Sequence, residues 1–304
     1  MVPVIILSGP TAVGKTELAL QLAIRLGGEI ISADSRQLYR GLDIGTAKPS
    51  AAERAEVPHH FIDLLEPDQP FNAGLFQKQA RALITGLLEK GKAVIVCGGT
   101  GLYIRALLQG MIPLDTDMSE ERGQLAAELQ TRGVEALYHE LERVDPLSAK
   151  RIEPADARRI TRALEVFRAT GKTFSYWLSQ PQTPAPFSYK YFALNRPREE
   201  LYDRINRRVD KMLATGLVEE VKALVARGFA TENALNTVGY KEVMAYLKEE
   251  LSYEEMAERI KRNTRRYAKR QMTWLRKEPD IIWLEADGDD PAGEILRHAG
   301  PASP

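Results

Sequence analysis

Gly9-Pro10-Thr11-Ala12-Val13-Gly14-Lys15-Thr16 fits the pattern G-x-x-x-x-G-K-[ST]. The apolar run Val4, Ile5, Ile6 and Leu7 precedes it. Leu18, Leu22 and Leu26, at a spacing of four, follow it. That is a strand, a glycine-rich turn and a helix, the context in which this motif cradles phosphate. The glycines let backbone N–H groups turn inward around phosphate oxygens, and the helix N-terminus adds a favourable dipole. Lys15 places a point charge on the phosphates, and the Thr16 hydroxyl can ligate Mg²⁺. Residues 9–16 are therefore candidate phosphate ligands, with Thr16 the candidate metal ligand. The bland alternative is a glycine turn with no ligand. The motif specifies a phosphate group and not a reaction, since kinases, ATPases and other transferases share it.

Outward from this loop, short apolar runs alternate with helical patterns. Residues 29–32 form a second run, ending at Asp34. Residues 61–65 form a third, ended by Pro67, and 76–90 read as a helix stopped by Gly91. Residues 93–97 form a fourth run, followed by Gly98-Gly99-Thr100-Gly101. This alternation predicts an α/β fold with a parallel sheet flanked by helices, of the P-loop NTPase-like kind. From 117 to 171 no strand pattern occurs. Leu125 and Leu129, then Leu137 and Leu141, then Ile160, Leu164 and Phe167 repeat at helical spacing. An all-helical insertion is expected there, closed by the proline-rich linker 180–186. Residues 189–194 resume a strand, 198–227 and 253–276 read as long helices, and 281–284 as a last strand. The expected division is a catalytic core of 1–114 and 187–304 with a helical insertion domain of 115–186.

The chain has 304 residues and 44% hydrophobic content, enough to bury a sizeable core. Lys+Arg and Asp+Glu both number 42, so net charge predicts no partner, and any polyanion surface must come from local segregation. Cys97 is the one cysteine, which excludes an intramolecular disulfide and a cysteine-based zinc site. The apolar N-terminus lacks a basic start and a cleavage site, and no stretch approaches a membrane span. A cytoplasmic monomer with no membrane attachment is expected.

Charge is segregated on two helices. At 100° per residue, Arg259, Arg262, Arg265, Arg266, Lys269, Arg270 and Arg276 fall within an arc of about 140°. Met256, Ile260, Tyr267 and Trp274 lie beside it. Between Arg259 and Lys277 stand nine Lys/Arg and no Asp/Glu, so the neutral chain carries a net −9 elsewhere (0 − 9). On 156–170, Arg158, Arg159 and Arg162 cluster opposite Ile160, Ala163, Leu164 and Phe167. One such face is usually just solvated. Two of them beside a phosphate site suit RNA contact. His59 and His60 lack metal-ligand spacing, and Trp177, Trp274 and Trp283 suit packing.

An NTPase usually ends a later strand with an acidic Mg²⁺ ligand. Here 93–97 ends in Gly98-Gly99-Thr100, and the carboxylate that follows a strand is Asp34. Residues 30–39 (Ile-Ile-Ser-Ala-Asp-Ser-Arg-Gln-Leu-Tyr) run into Gly41-Leu42-Asp43-Ile44-Gly45-Thr46-Ala47-Lys48-Pro49. Together with the 9–16 loop and Gly98-Gly99-Thr100-Gly101-Leu102-Tyr103, this resembles the tRNA dimethylallyltransferases, also called isopentenyl-diphosphate transferases. The resemblance continues through Arg162-Ala163-Leu164-Glu165-Val166-Phe167, Val238-Gly239-Tyr240 and Ala268-Lys269-Arg270-Gln271-Met272-Thr273-Trp274-Leu275-Arg276. It spans nearly the whole chain. Some eukaryotic members carry a C-terminal zinc finger; with one cysteine, this chain resembles the bacterial type.

The resemblance implies transfer of a dimethylallyl group from dimethylallyl diphosphate to N6 of the adenine next to the anticodon, position 37 of the tRNA. Residues 9–16, with Mg²⁺ at Thr16, would then hold a leaving diphosphate. Asp34 matches the family's catalytic aspartate and would accept the N6 proton. Its alternatives are a strand-end cap or a contact to Mg²⁺-bound water. Thr100 would help steer the base, its alternative being a helix N-cap. Arg204 matches an arginine that binds diphosphate, its alternative being a solvated helix face beside Arg207 and Arg208. Asp34, Ser35, Arg36 and Gln37 would meet the extruded adenine, with the Gln37 amide on the base edge or merely in a surface loop. Arg158, Arg159, Arg162, Lys269 and Arg270 would contact the tRNA anticodon stem-loop. The competing readings are a P-loop small-molecule kinase that binds ATP, a tRNA-binding nucleotide sensor, and a transferase acting on free adenine nucleotides.

Overall fold

The computed structural model describes residues 3–112, 114 and 116–300. It divides into two compact units, Met1–Leu108 with Ala185–Pro304, and Gln109–Pro184.

In the first unit, β1 (Val4–Ser8) leads into α1 (Lys15–Leu26), β2 (Glu29–Ser32), α2 (Ala51–Glu56), β3 (His59–His60), α3 (Ala73–Glu89), β4 (Val94–Cys97) and α4 (Gly101–Gln109). In the second unit lie α5 (Ser119–Val144), α6 (Pro146–Ala149), α7 (Ala157–Thr170) and α8 (Phe174–Ser179). The chain then returns to the first unit with β5 (Tyr189–Asn195), α9 (Arg198–Ala214), α10 (Leu217–Ala226), α11 (Tyr240–Leu247), α12 (Tyr253–Leu275), β6 (Ile282–Glu285) and α13 (Pro291–Ala299).

The six strands form one sheet in the order β3-β2-β4-β1-β5-β6, all pairs parallel. β1 is central and buries all five residues, as a strand with helices on both faces must. Ile6 is paired with Val96 on one side and Tyr191 on the other. Leu18 and Leu22 of α1, Leu201 and Ile205 of α9, and Ile295 of α13 pack with Ile5, Leu7, Phe192 and Leu194 of the sheet. Because β4 lies between β1 and β2, its C-terminal turn lies between the 9–16 loop and the Asp34 loop. Ligands of open α/β sheets bind at these carboxyl ends.

The second unit is all helical among the described residues. Leu125, Leu137 and Leu141 of α5 pack on Ile160, Ala163 and Leu164 of α7. Asp156 caps α7 by accepting from Arg159 N at 3.1 Å. Gly133, at φ 78°, breaks α5 into two helical pieces.

Two expectations need correction. Residues 61–65 are not a strand; the sheet takes His59–His60 instead. Phe61 and Asp63 adopt positive φ, which ends the extended run, and Phe61 packs against Phe71 and Phe76. The helix expected over 198–227 is two helices, split at Gly216, whose φ of 104° no helix interior accepts. Among the described residues, no helix is long and apolar enough to cross a membrane.

Candidate active site

The 9–16 loop leaves β1 as irregular backbone. Gly14 sits at φ 116°, a left-handed conformation that suits glycine, and Ala12 also has positive φ. α1 then begins at Lys15. The Lys15 ammonium donates to Gly9 O at 2.9 Å and to Pro10 O at 2.7 Å. Burial pulls its pKa down to about 8; Arg208 adds to the fall, while Cys97 and Asp34 oppose it.

A cleft of about 730 Å³ opens over this loop. Lys15, Thr16, Asp34, Gln37, Arg204, Arg208, Lys211 and Gln271 all line it, with the stretch 46–49 along one wall. Arg204 is not on a solvated face: its Nε donates to Ala12 O at 2.9 Å, against the loop. Arg207, three residues on, also lines the cleft but is largely exposed and pairs with Asp203. Arg208 donates to Thr46 O at 3.3 Å. Burial lowers its pKa from the ordinary arginine value, with Asp34 opposing the shift. Lys48 is buried and neutralised by Asp43 and Asp63. Lys15, Arg204, Arg208 and Lys211 have no carboxylate partner within salt-bridge distance among the described residues. Four unneutralised cations facing one cleft repel each other, and an anion bound there relieves that cost.

Asp34 follows β2 and turns back on its own chain. Its Oδ1 accepts from Arg36 N at 2.8 Å and from Gln37 N at 3.3 Å. This turn leaves Oδ2 as the oxygen without such a bond. Thr100 opens α4 but does not cap it with its side chain. Its Oγ1 accepts from Ser35 N at 3.0 Å, which ties the turn after β4 to the Asp34 loop. Its backbone carbonyl accepts from Tyr103 N and Ile104 N. Thr100 therefore holds the loop that carries Asp34, and is not among the residues that line the cleft.

Gln37 lines the cleft, yet its amide is already engaged. Oε1 accepts from Ser32 Oγ, and Nε2 donates to Thr46 O and Ala47 O at 3.3 and 3.4 Å. Arg36 is likewise engaged, donating to Asn233 O at 2.8 Å. The stretch 43–47 is anchored from below by Glu220, whose carboxylate accepts from Asp43 N, Ile44 N and Gly45 N.

The basic stripe of α12 faces solvent as its period requires. Arg259, Arg262, Arg266, Lys269 and Arg270 are all exposed, while Met256, Ile260, Ala268, Gln271 and Leu275 are buried. Arg265 is half-buried and donates to Asn206. The stripe expected on α7 is weaker. Arg158 and Arg159 are exposed, but Arg162 pairs with Glu165 at 2.9 Å and Arg159 approaches Asp156 at 3.4 Å.

Arg208, Lys211, Gln271 and the 46–49 wall were not singled out by sequence reasoning. A signal existed for two of them. The period that buries Leu201, Ile205 and Val209 also puts Arg204, Arg208 and Lys211 on one stripe of α9, at i, i+4 and i+7.

For Mg²⁺, the Thr16 side chain is exposed on the cleft beside Asp34. No group of three or more His, Cys, Asp or Glu is placed to hold a metal among the described residues. A single hydroxyl on the cleft fits an ion otherwise held by water and phosphate oxygens, the usual Mg²⁺ arrangement.

Comparison with known proteins identifies the family. A family model described as IPP transferase matches residues 37–278. The chain is 47% identical to the tRNA dimethylallyltransferase of Pelotomaculum thermopropionicum, over 97% of this chain and 96% of that one. It is 50% identical to tRNA dimethylallyltransferase 1 of Citrifermentans bemidjiense, over 94% and 93%. Its fold matches the full-length tRNA isopentenylpyrophosphate transferase of Bacillus halodurans with a TM-score of 0.72 at 40% identity, covering 98% of this chain and 95% of that one. It also matches a eukaryotic dimethylallyltransferase acting on tRNA, with a TM-score of 0.81 at 29% identity, covering 96% and 76%.

Proposed function

The chain belongs to the IPP transferase family and transfers a dimethylallyl group to tRNA; we propose that dimethylallyl diphosphate is the donor and N6 of adenine 37, beside the anticodon, the acceptor. The observation that carries this reading is the company Asp34 keeps. Asp34 shares a cleft with Lys15, Arg204, Arg208 and Lys211, none of them paired with a carboxylate at salt-bridge distance among the described residues, so a proton acceptor and an anion site face the same space.

In the proposed reaction N6 bonds to C1 of the dimethylallyl group. The C1–O bond breaks, and its electron pair leaves with the diphosphate. The N6 proton passes to Asp34, whose Oδ2 is the oxygen not spent on the Asx turn. Lys15, Arg204, Arg208 and the backbone of residues 9–16 receive the charge that develops on the departing group, the preorganised electrostatics such a step requires. Mg²⁺, when bound with Thr16 and the diphosphate, adds neutralising charge. Thr100 acts through Ser35, holding the Asp34 loop against the turn after β4. Because the Gln37 amide is engaged by Ser32, Thr46 and Ala47, its part in base recognition is to shape the wall and not to read the base edge.

The exposed stripe on α12, with Lys269 and Arg270, is the proposed RNA-contacting surface of the first unit. Arg158, Arg159 and Arg162 on α7 are the proposed contacts of the helical unit with the anticodon stem-loop. One copy of the chain carries Lys15, Asp34 and the α9 cations, so the proposed enzyme works as a monomer. For an enzyme acting on tRNA the proposed location is the cytoplasm.

The test is labelled dimethylallyl diphosphate offered with tRNA, with free AMP, or with ATP and small acceptors in place of the diphosphate. Label is expected in tRNA alone, at the adenine beside the anticodon. Label in AMP alone, or phosphate transfer from ATP, would overturn the reading.

A further inference from the structure

Gln271 is buried on α12, 8% exposed, one turn beyond Tyr267. Its side-chain amide spans two loops. Oε1 accepts from Thr11 N at 2.9 Å, and Nε2 donates to Gly99 O at 3.0 Å. The partners are an N–H and a C=O, so the opposite orientation would set donor against donor and acceptor against acceptor. A Cβ at Gly99 would stand 2.2 Å from Nε2, so only glycine admits the amide there. Trp274, three residues on, packs just as closely over Gly101. α12 thus seats on the turn after β4 at two points, and through Gln271 reaches the phosphate loop as well.

The phosphate loop does little to hold itself. Pro10 has no N–H, Ala12 has positive φ, and the one backbone bond closing the turn, Val13 N to Pro10 O, is long at 3.4 Å. Its other anchors include Lys15 on Gly9 O and Pro10 O, and Arg204 on Ala12 O. Both are cations that an incoming diphosphate claims. Gln271 is uncharged, so its two bonds can persist when the anion arrives.

We propose that Gln271 is a positioning residue for the donor: it holds the Thr11 peptide at a fixed distance from the Gly99 carbonyl, and so keeps the phosphate loop in the shape that receives diphosphate. This rests on the donor reading given under the proposed function. Gln271 touches no reacting atom in this role, and acts through the loop.

The test compares the full-length wild type with Gln271→Met, which keeps length and volume but makes neither bond, and with Gln271→Glu. Inorganic pyrophosphate affinity is measured by calorimetry, and KM for dimethylallyl diphosphate and affinity for tRNA are measured alongside. The Gln271→Met variant is expected to weaken pyrophosphate binding and raise the donor KM about tenfold, the worth of one to two net hydrogen bonds. Its tRNA affinity should stay near wild type, and its melting temperature should fall by only a few degrees, leaving it folded under the assay conditions. In the Gln271→Glu variant, a protonated carboxyl presents the same C=O and donor pair as glutamine. The deficit of that variant in pyrophosphate affinity should therefore shrink as pH falls. A folded Gln271→Met variant with unchanged pyrophosphate affinity and donor KM overturns the proposal, as do variants that fail to fold, since the bridge then serves the fold alone. If the wild type neither binds pyrophosphate nor labels tRNA, the underlying donor reading fails instead.

Discussion

The Tyr240 hydroxyl donates to Glu220 Oε1 across 2.6 Å, completing a carboxylate that accepts four hydrogen bonds. Asp43 N and Ile44 N share Oε2 at 3.0 and 2.7 Å, and Gly45 N meets Oε1 at 3.1 Å. This carboxylate folds the 43–45 backbone around itself and so sets the wall of the cleft at Thr46 and Ala47. Burial, with Glu220 beside it, keeps the Tyr240 hydroxyl protonated far above the ordinary tyrosine range. Tyr240→Phe leaves the carboxylate one donor short and is expected to cost about 1.5–3 kcal/mol, as bonds to charged groups do. Gly45→Ala would put a Cβ 2.4 Å from the Tyr240 ring, and is expected to cost about 1–3 kcal/mol by overpacking. Urea unfolding of both variants checks this; two wild-type midpoints would remove Glu220 from the account of the wall.

Asp34→Asn separates chemistry from shape. The amide oxygen can still accept from Arg36 N and Gln37 N, so the turn should survive. Proton acceptance is lost, and turnover is expected to fall by about 10²–10⁴, the range of general-base contributions. Donor and tRNA binding should change little. Single-turnover rates with saturating substrates are the measurement, and a rate within a few-fold of wild type would move the proton to another group.

Lys15 predicts a pH signature with a definite sign. Its folded pKa is lowered to about 8 from 10.5, so between those values the unfolded chain holds more protons than the folded one. Stability therefore rises with pH across that window, because the buried charge is shed. Lys15→Met is expected to be more stable than wild type below about pH 8, with the gap closing toward pH 10. Pyrophosphate affinity should move the other way. Wild type should lose its advantage over Lys15→Met as pH rises through about 8. Parallel pH profiles of unfolding and pyrophosphate binding test both halves.

RNA affinity should fall steeply with salt. Removing Arg266, Lys269 or Arg270, all exposed on α12, is expected to reduce the log–log salt slope by about 0.7–0.9 for each phosphate left unneutralised. Arg162→Ala should reduce it less, because Glu165 already neutralises Arg162. Equal effects at Arg162 and Lys269 in filter binding at several salt concentrations would show that the α7 ion pair opens for RNA.

Much of the fold is legible because its signals are local. Residues 9–16 are contiguous, and a strand before and a helix after complete the motif within one βα unit. Leu18, Leu22 and Leu26 show the helix by spacing alone, and the α12 stripe follows from its period. Where the reading missed, a distant contact overrode a local one. Residues 61–65 look like a strand, yet Phe61 is drawn to Phe71 and Phe76 instead of the sheet. The engagement of the Gln37 amide by Thr46, nine residues on, is likewise not legible in its own loop.

The sequence by itself determined a strand, glycine-rich turn and helix over 4–26, a parallel α/β core with a helical insertion, and a basic helix face. Patterns that repeat over one or two turns, or over one strand, carry their meaning in neighbouring residues. Only the tertiary structure decided that Arg204 bonds the Ala12 carbonyl and Arg208 the Thr46 carbonyl while Arg207 pairs with Asp203, that Glu220 underpins the 43–45 backbone, and that Gln271 bridges Thr11 to Gly99. Gln271 lies 260 residues from Thr11 in the chain. Their meeting depends on the sheet order, which sets the turn after β4 between the ends of β1 and β2, and on a helix docking against that turn. No periodicity within a segment encodes a hydrogen bond between segments so far apart.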